Sequence, residues 1–182
     1  MKKKLIEQGA TGLCRTRPCM IVTTRHENGI VNAGTFGAYT NVGPEEIGVA
    51  IGMRSDTYRN IRRDGEFVIN ILSIDYAQAL ELCGRNVPGE QSELDTAHLT
   101  TQNGHVVKAP MIREAVAAVE CRYWKELEIG YHSFVVGKVL CGHLLESLED
   151  DDGSIDVVKA RLPFNVRYPD PLYATLAEKR RV

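Results

Sequence analysis

The sequence has no long apolar run, no paired-cysteine motif and no surplus of charge, and each absence removes a class of protein. No segment approaches membrane-spanning length, and the opening MKKKLIEQGATG is basic without the apolar stretch of a signal peptide. The expectation is a cytoplasmic protein with no membrane partner. Five cysteines, at 14, 19, 83, 121 and 141, are odd in number and never form C-x-x-C, which argues against a disulfide framework or a zinc knuckle. Cys121 and Cys141 alternate with polar neighbours in β-like runs and read as core, while Cys19 and Cys83 lie nearer to loops. With 22 basic against 24 acidic side chains, a formal charge of −2 offers no global field for nucleic acid. The fingerprint G-x-G-x-x-G is missing, which argues against a Rossmann domain. Internal repeats and low-complexity linkers are missing too.

What is present is a chain of 182 residues, 43% apolar, long enough for one domain over 1–182 with a full core. A weak amphipathic segment over 5–17 ends at Pro18. The β-rich run 19–26 and the strand 30–34 flank Glu27-Asn28-Gly29, and the Asn-Gly pair predicts a tight antiparallel hairpin. After Pro44, the run 47–53 (I-G-V-A-I-G-M) is apolar enough for a strand covered on both faces. Residues 57–63 predict a short helix stopped by Asp64-Gly65, 66–72 a strand, and 75–83 a helix of about three turns closed by Gly84. The polar segment 85–98, with Pro88-Gly89, reads as an exposed loop. A long hairpin follows, its arms 115–127 and 132–145, with Trp124 and Tyr123 read as core or dimer contacts.

The acidic turn 149–153 fails as a calcium loop, because Leu148 and Lys159 would stand where carboxylates are needed. The tail, from 161 on, predicts two proline-directed kinks and a short terminal helix. At least six strands joined mostly by hairpins, with two or three short helices between them, favour a mainly β fold. An antiparallel barrel with helices at its rim fits the short connections better than a parallel α/β sheet.

The stretch 32–70 holds the elements a flat, phosphorylated ligand needs: a small-residue loop, and donors where Arg54-Ser55-Asp56-Thr57 opens a helix. Its parts also occur in a familiar order. Pro18 with I-V-T-T, the hairpin Gly29, Asn32-Ala33-Gly34-Thr35, Pro44, R-S-D-T-Y-R-N-I, G-E-F-V-I-N, V-E-C-R and G-Y-H-S-F-V-V-G-K-V together resemble the flavin reductase-like, FMN-binding split-barrel family, the flavoredoxins most closely. The likeness covers about 18–145 and continues weakly into the tail, 146–182, which would pack on the barrel or a dimer partner.

The resemblance implies a split antiparallel β-barrel, a homodimer, and FMN, with FAD as the variant, bound near the interface. It further implies that Asn32 and the loop Thr35, Phe36, Gly37, Ala38 and Tyr39 line the flavin edge through backbone groups. An ordinary tight loop is the bland alternative. Arg54, Ser55 and Thr57 would meet the phosphate, with Tyr58 beside them; otherwise Ser55 or Asp56 simply caps the helix and Arg54 is solvated. His132 matches a histidine facing the nicotinamide side, in a positioning role, though a strand-start histidine is also an ordinary polar residue. The implied activity moves electrons from transiently bound NAD(P)H through the flavin to a second flavin, a ferric chelate or a redox protein. An FMN electron carrier without NAD(P)H activity, and a binding module built on the same barrel, are the rival readings. One departure stands out: many relatives carry Ser-Gly and then Asp-Lys-Phe after the second helix, whereas this chain has Asn86-Val87-Pro88-Gly89 and Glu93-Leu94-Asp95.

Overall fold

The computed structural model describes residues 3–14, 17–167 and 170–180. Among the described residues, twelve strands and three α-helices follow in chain order. The first half holds β1 (Arg17–Pro18), β2 (Met20–Arg25), β3 (Val31–Phe36), β4 (Tyr39–Asn41), β5 (Glu46–Gly52), α1 (Asp56–Asp64), β6 (Glu66–Ile71) and α2 (Ala77–Cys83). The second holds α3 (Glu93–Ala97), β7 (Thr101–Gln102), β8 (Met111–Ile112), β9 (Ala117–Ile129), β10 (His132–Leu144), β11 (Phe164–Arg167) and β12 (Leu172–Ala174).

Seven strands form one antiparallel sheet in the order β3-β2-β6-β9-β10-β5-β4. The single run 31–41 belongs to both ends of it. Its first part, β3, pairs with β2, its last part, β4, pairs with β5, and between them the Ala38 carbonyl accepts the Ala50 N–H at 2.8 Å. The sheet therefore curls into a split barrel whose seam is the small-residue loop. At the predicted hairpin, Gly29 takes the left-handed φ of 86° that the Asn-Gly pair favours, and strands 20–25 and 31–36 pair in register.

Alternation sorts the side chains into two layers. Met20, Val22, Val49, Ile51, Phe67, Ile69, Cys121 and Val135 face the barrel interior, joined by Ile61 of α1. Ile21, Ala33 and Leu72 form a second cluster under Leu80 of α2 and Leu94 of α3. Two irregularities in the β9–β10 pairing insert Trp124 on one strand and Leu140 on the other as unpaired residues.

Several expectations need correction. The segment 85–98 is not an exposed loop throughout: Ser92 caps α3, and Ser92, Glu93, Leu94 and Ala97 are buried. Ser92 three residues before Asp95, with Leu94, Ala97 and Leu99 as apolar anchors, is a capping pattern that the Pro-Gly dipeptide obscured. The helix expected over 75–83 is split into a 3-10 turn (Ile74–Tyr76) and α2. No helix forms over 170–180, where the tail instead pairs β12 with β11 and β11 with β1. The expected kink at Pro169 lies outside the described residues. Between 5 and 14 only an exposed 3-10 turn, Ala10–Leu13, is found. Trp124 is not core: it is 46% exposed, with Lys125 and Lys138 ammonium groups over its ring. Cys19 and Cys83 are buried despite their loop-side positions, whereas Cys141 is only half-buried.

Candidate functional site

Helix α1 sets the geometry. Extended backbone at Ser55 (φ −74°, ψ 154°) lets its hydroxyl accept the Tyr58 N–H at 3.2 Å while donating to the Gly52 carbonyl at 2.8 Å. Both capacities are engaged in capping. The helix stops at Gly65, whose φ of 71° allows its N–H to return to the Ile61 carbonyl. Asp56 in the first turn pairs with the Arg59 guanidinium, one turn on. The carboxylate at the helix start is therefore neutralised within the helix itself.

Under α1 lies a buried polar cluster. Asn32 Nδ2 donates to Thr57 Oγ1 at 2.9 Å and to Thr24 Oγ1 at 3.0 Å, and Asn60 Nδ2 donates to the same Thr24 oxygen at 3.0 Å. These bonds clamp β3 to the first turn of the helix. The clamp needs glycine at 34, because a Cβ there would stand 2.8 Å from Thr57 Oγ1 and 2.9 Å from the Phe36 ring.

Where β3 passes α1, a cleft of about 140 Å³ opens toward the end of α2. Asn32, Gly34, Thr35, Phe36, Ser55, Asp56 and Thr57 form one side, and Cys83, Gly84, Arg85, Asn86 and Glu93 the other. The Thr35 hydroxyl donates to the Leu80 carbonyl at 2.6 Å. Glu93, 5% exposed, accepts the Ala33 N–H at 2.8 Å. Burial pushes its carboxyl above the usual range, against the opposing pull of the backbone N–H groups. Burial likewise raises the Cys83 thiol to about 12, with the Glu93 charge adding to it.

A second cavity, about 390 Å³, lies beside the cleft and shares Ser55 with it. Gly52, Arg54, Tyr131 and His132 complete its wall. Arg54 is exposed there, its carbonyl accepting from Arg59. His132 opens β10, opposite Gly52 on one side and Ile129 on the other.

The structure thus brings Asn32, Thr35, Phe36, Ser55 and Thr57 together in one cleft, and Arg54, Ser55 and His132 around the next cavity. The other named residues line neither. Gly37 lies against Arg17 and Pro18, the Ala38 carbonyl closes the seam, and Tyr39 packs on the barrel interior, where burial pushes its hydroxyl up to about 12. The Tyr58 hydroxyl donates to Glu126 at 3.3 Å. Sequence reasoning did not name Glu93, Arg85 and Asn86 as wall residues, because it read their segment as an exposed loop, a lid or a connection.

The profile of the flavin reductase like domain matches residues 14–163. The chain belongs to the flavin reductase-like family. The match contains every strand of the split barrel, both cavities and all three α-helices. An uncharacterised protein of Halalkalibacterium halodurans is 30% identical over 155 residues, covering 78% of this chain and 74% of the relative. Among solved structures, nitrilotriacetate monooxygenase component B from Bacillus cereus is 25% identical, with a TM-score of 0.86 over 100% of this chain and 98% of the other. Flavoredoxin of Desulfovibrio vulgaris (Miyazaki F) has the same fold, with a TM-score of 0.86, 24% identity and coverage of 100% and 97%. No helix among the described residues is long and apolar enough to cross a membrane.

Proposed function

We propose that this member of the flavin reductase-like family is an FMN-binding oxidoreductase that takes hydride from NAD(P)H and delivers electrons to a flavin, a ferric chelate or a redox partner. The observation that carries the reading is the pair of cavities meeting at Ser55, one walled by the backbone of β3 and the other by Arg54 and His132. The residues fit such a ligand. Gly34 lets β3 pack directly on Thr57 and Phe36, which holds the cleft wall close to the helix start, and the α1 N-terminus supplies backbone donors and the positive end of its dipole for a phosphate. Asp56, the one carboxylate in the first turn of α1, is held by Arg59. The bound flavin supplies hydride acceptance; this chain's residues hold and orient it.

In this reading Asn32, Thr35 and Phe36 support the ring edge, while Gly37, Ala38 and Tyr39 carry the seam behind it. Arg54 and the first turn of α1 at Thr57 receive the phosphate, Ser55 holds that turn in place through its bonds to Gly52 and Tyr58, Tyr58 braces the helix through Glu126, and His132 positions the nicotinamide. The exposed apolar side chains Leu127, Ile129 and Tyr131 at the hairpin tip, near His132, form the contact of a homodimer. Five free thiols suit a reducing compartment, and we place the protein in the cytoplasm.

Purified protein is expected to be yellow or to quench added FMN fluorescence, and its flavin to bleach on anaerobic mixing with NADH or NADPH. Mass analysis of released flavin distinguishes FMN from FAD. Flavin binding without bleaching by either nucleotide would leave the electron-carrier role and sink the reductase; a colourless protein that does not quench FMN would sink both.

A further inference from the structure

Toward the far end of the β9–β10 hairpin from His132, three side chains of metal-ligating chemistry converge. Glu120 lies on β9, Cys141 and His143 on β10, and one ligand atom from each lies within 4.8 Å of the other two. Cys141 and His143, two residues apart, share a face of the strand. The bulge at Leu140 puts them beside the glutamate: Val139 pairs with Cys121, one residue is skipped, and Cys141 pairs with Glu120. Without the skipped residue, both side chains would turn to the opposite face.

The carboxylate is fixed in advance. Glu120 is wholly buried, and its two oxygens accept the backbone N–H groups of His105 at 2.6 Å, Val106 at 2.7 Å and Val107 at 2.8 Å. Gly104 lets this segment wrap so closely, since a Cβ there would meet the Val107 carbonyl at 2.6 Å. On the open side, His143 Nε2 stands 2.7 Å from Glu120 Oε1 and 3.8 Å from Cys141 Sγ. The His143 side chain is 35% exposed, which gives an ion a path in and the ring room to move.

We propose that Glu120, Cys141 and His143 form a zinc site, with a carboxylate oxygen, a thiolate and an imidazole nitrogen as protein ligands and water in the fourth position. A mixed oxygen, nitrogen and sulfur set suits zinc, whereas calcium and magnesium do not select thiolate. Tetrahedral zinc with bonds of about 2.0–2.3 Å separates its ligands by about 3.3–3.6 Å. The observed 2.7 and 3.8 Å bracket that range, and with every pair of ligand atoms within 4.8 Å, small side-chain shifts of His143 and Cys141 bring the three onto one ion. The ion takes the place of the proton between Nε2 and Oε1 and binds the thiolate, and the thiol proton passes to solvent. Two of the carboxylate's N–H donors, Val106 and Val107, reach the other oxygen and remain as outer-sphere support. None of the three residues lines either cavity of the flavin site, so the proposal does not depend on that reading.

Chelator-stripped protein, with whatever flavin it retains, is titrated with Zn²⁺ by calorimetry and with Co²⁺ by absorbance. The expected result is one saturable equivalent per chain and a thiolate-to-cobalt charge-transfer band. Cys141→Ser abolishes the band and weakens Zn²⁺ binding by about 100-fold or more, beyond the usual cost of an outer-sphere change. His143→Gln acts likewise and replaces it should Cys141→Ser not fold, while Cys14→Ser, at an exposed thiol elsewhere, changes nothing. Absence of saturable binding, or binding that survives loss of Cys141 or His143, overturns the site and leaves a hydrogen-bonded cluster in which Glu120 staples residues 105–107 to β9.

Discussion

At the scale of single residues, position and commitment have to be separated. Ser55 touches both cavities but spends its hydroxyl on the helix, whereas Arg54 keeps its side chain exposed. Arg54→Ala is therefore expected to weaken FMN binding by about 1–3 kcal/mol, the range for one charge-assisted bond among several donors, read by fluorescence titration. Unchanged affinity would remove Arg54 from the phosphate. Glu120 makes a different prediction. Burial pushes its carboxyl up, but N–H donors from His105, Val106 and Val107, with His143, outweigh that and hold it at about 2, below the ordinary 4.5. A depressed folded-state value means that the contribution is complete above the unfolded value and is lost as pH falls from about 5 toward 2. Metal-free protein should lose stability across that window, and Glu120→Gln should flatten the profile; an unaltered slope in urea melts at stepped pH would refute the assignment.

At the scale of elements, α1 has a stop and a start that can be tested apart from any ligand. Ser55→Ala removes the cap acceptor for Tyr58 and should cost about 1 kcal/mol in denaturant unfolding of the flavin-free protein. A cost near zero would mean that the Gly52 and Tyr58 bonds are replaced by water. The hairpin at Gly29, the strand over 46–52, α1 and the β9–β10 hairpin were legible because turn chemistry, apolar runs and caps act within a few residues. The segment 85–98 was not, since its helix is only five residues long and its burial comes from β3, sixty positions away at the Ala33–Glu93 bond. For the same reason the site was half visible. The motif 32–57 showed one wall, while Arg85, Asn86 and Glu93 reach the cleft only through tertiary folding. The terminal helix does not form because Leu172–Ala174 find a strand partner in β11, which local propensity does not register, and 175–180 take no regular structure.

For the molecule as a whole, the long hairpin carries apolar surface that the monomer leaves in water. Leu127 and Ile129, 63% and 61% exposed and on one face of β9, lie beside Tyr131 at 80%. A dimer formed through this tip should sediment as such, and a double substitution, Leu127→Lys with Ile129→Lys, should give monomers with an unchanged circular dichroism spectrum. A variant that stays dimeric would move the interface elsewhere.

The seam at Gly37-Ala38 has a further consequence for how the molecule resists self-association. Because one run of chain occupies both ends of the sheet, releasing residues 31–41 would bare the edges of β2 and β5 together. Each would then offer a row of unpaired N–H and carbonyl groups to another strand. The cleft wall on β3 is part of that same run, so a molecule held in the cleft would also guard the barrel against edge-to-edge aggregation.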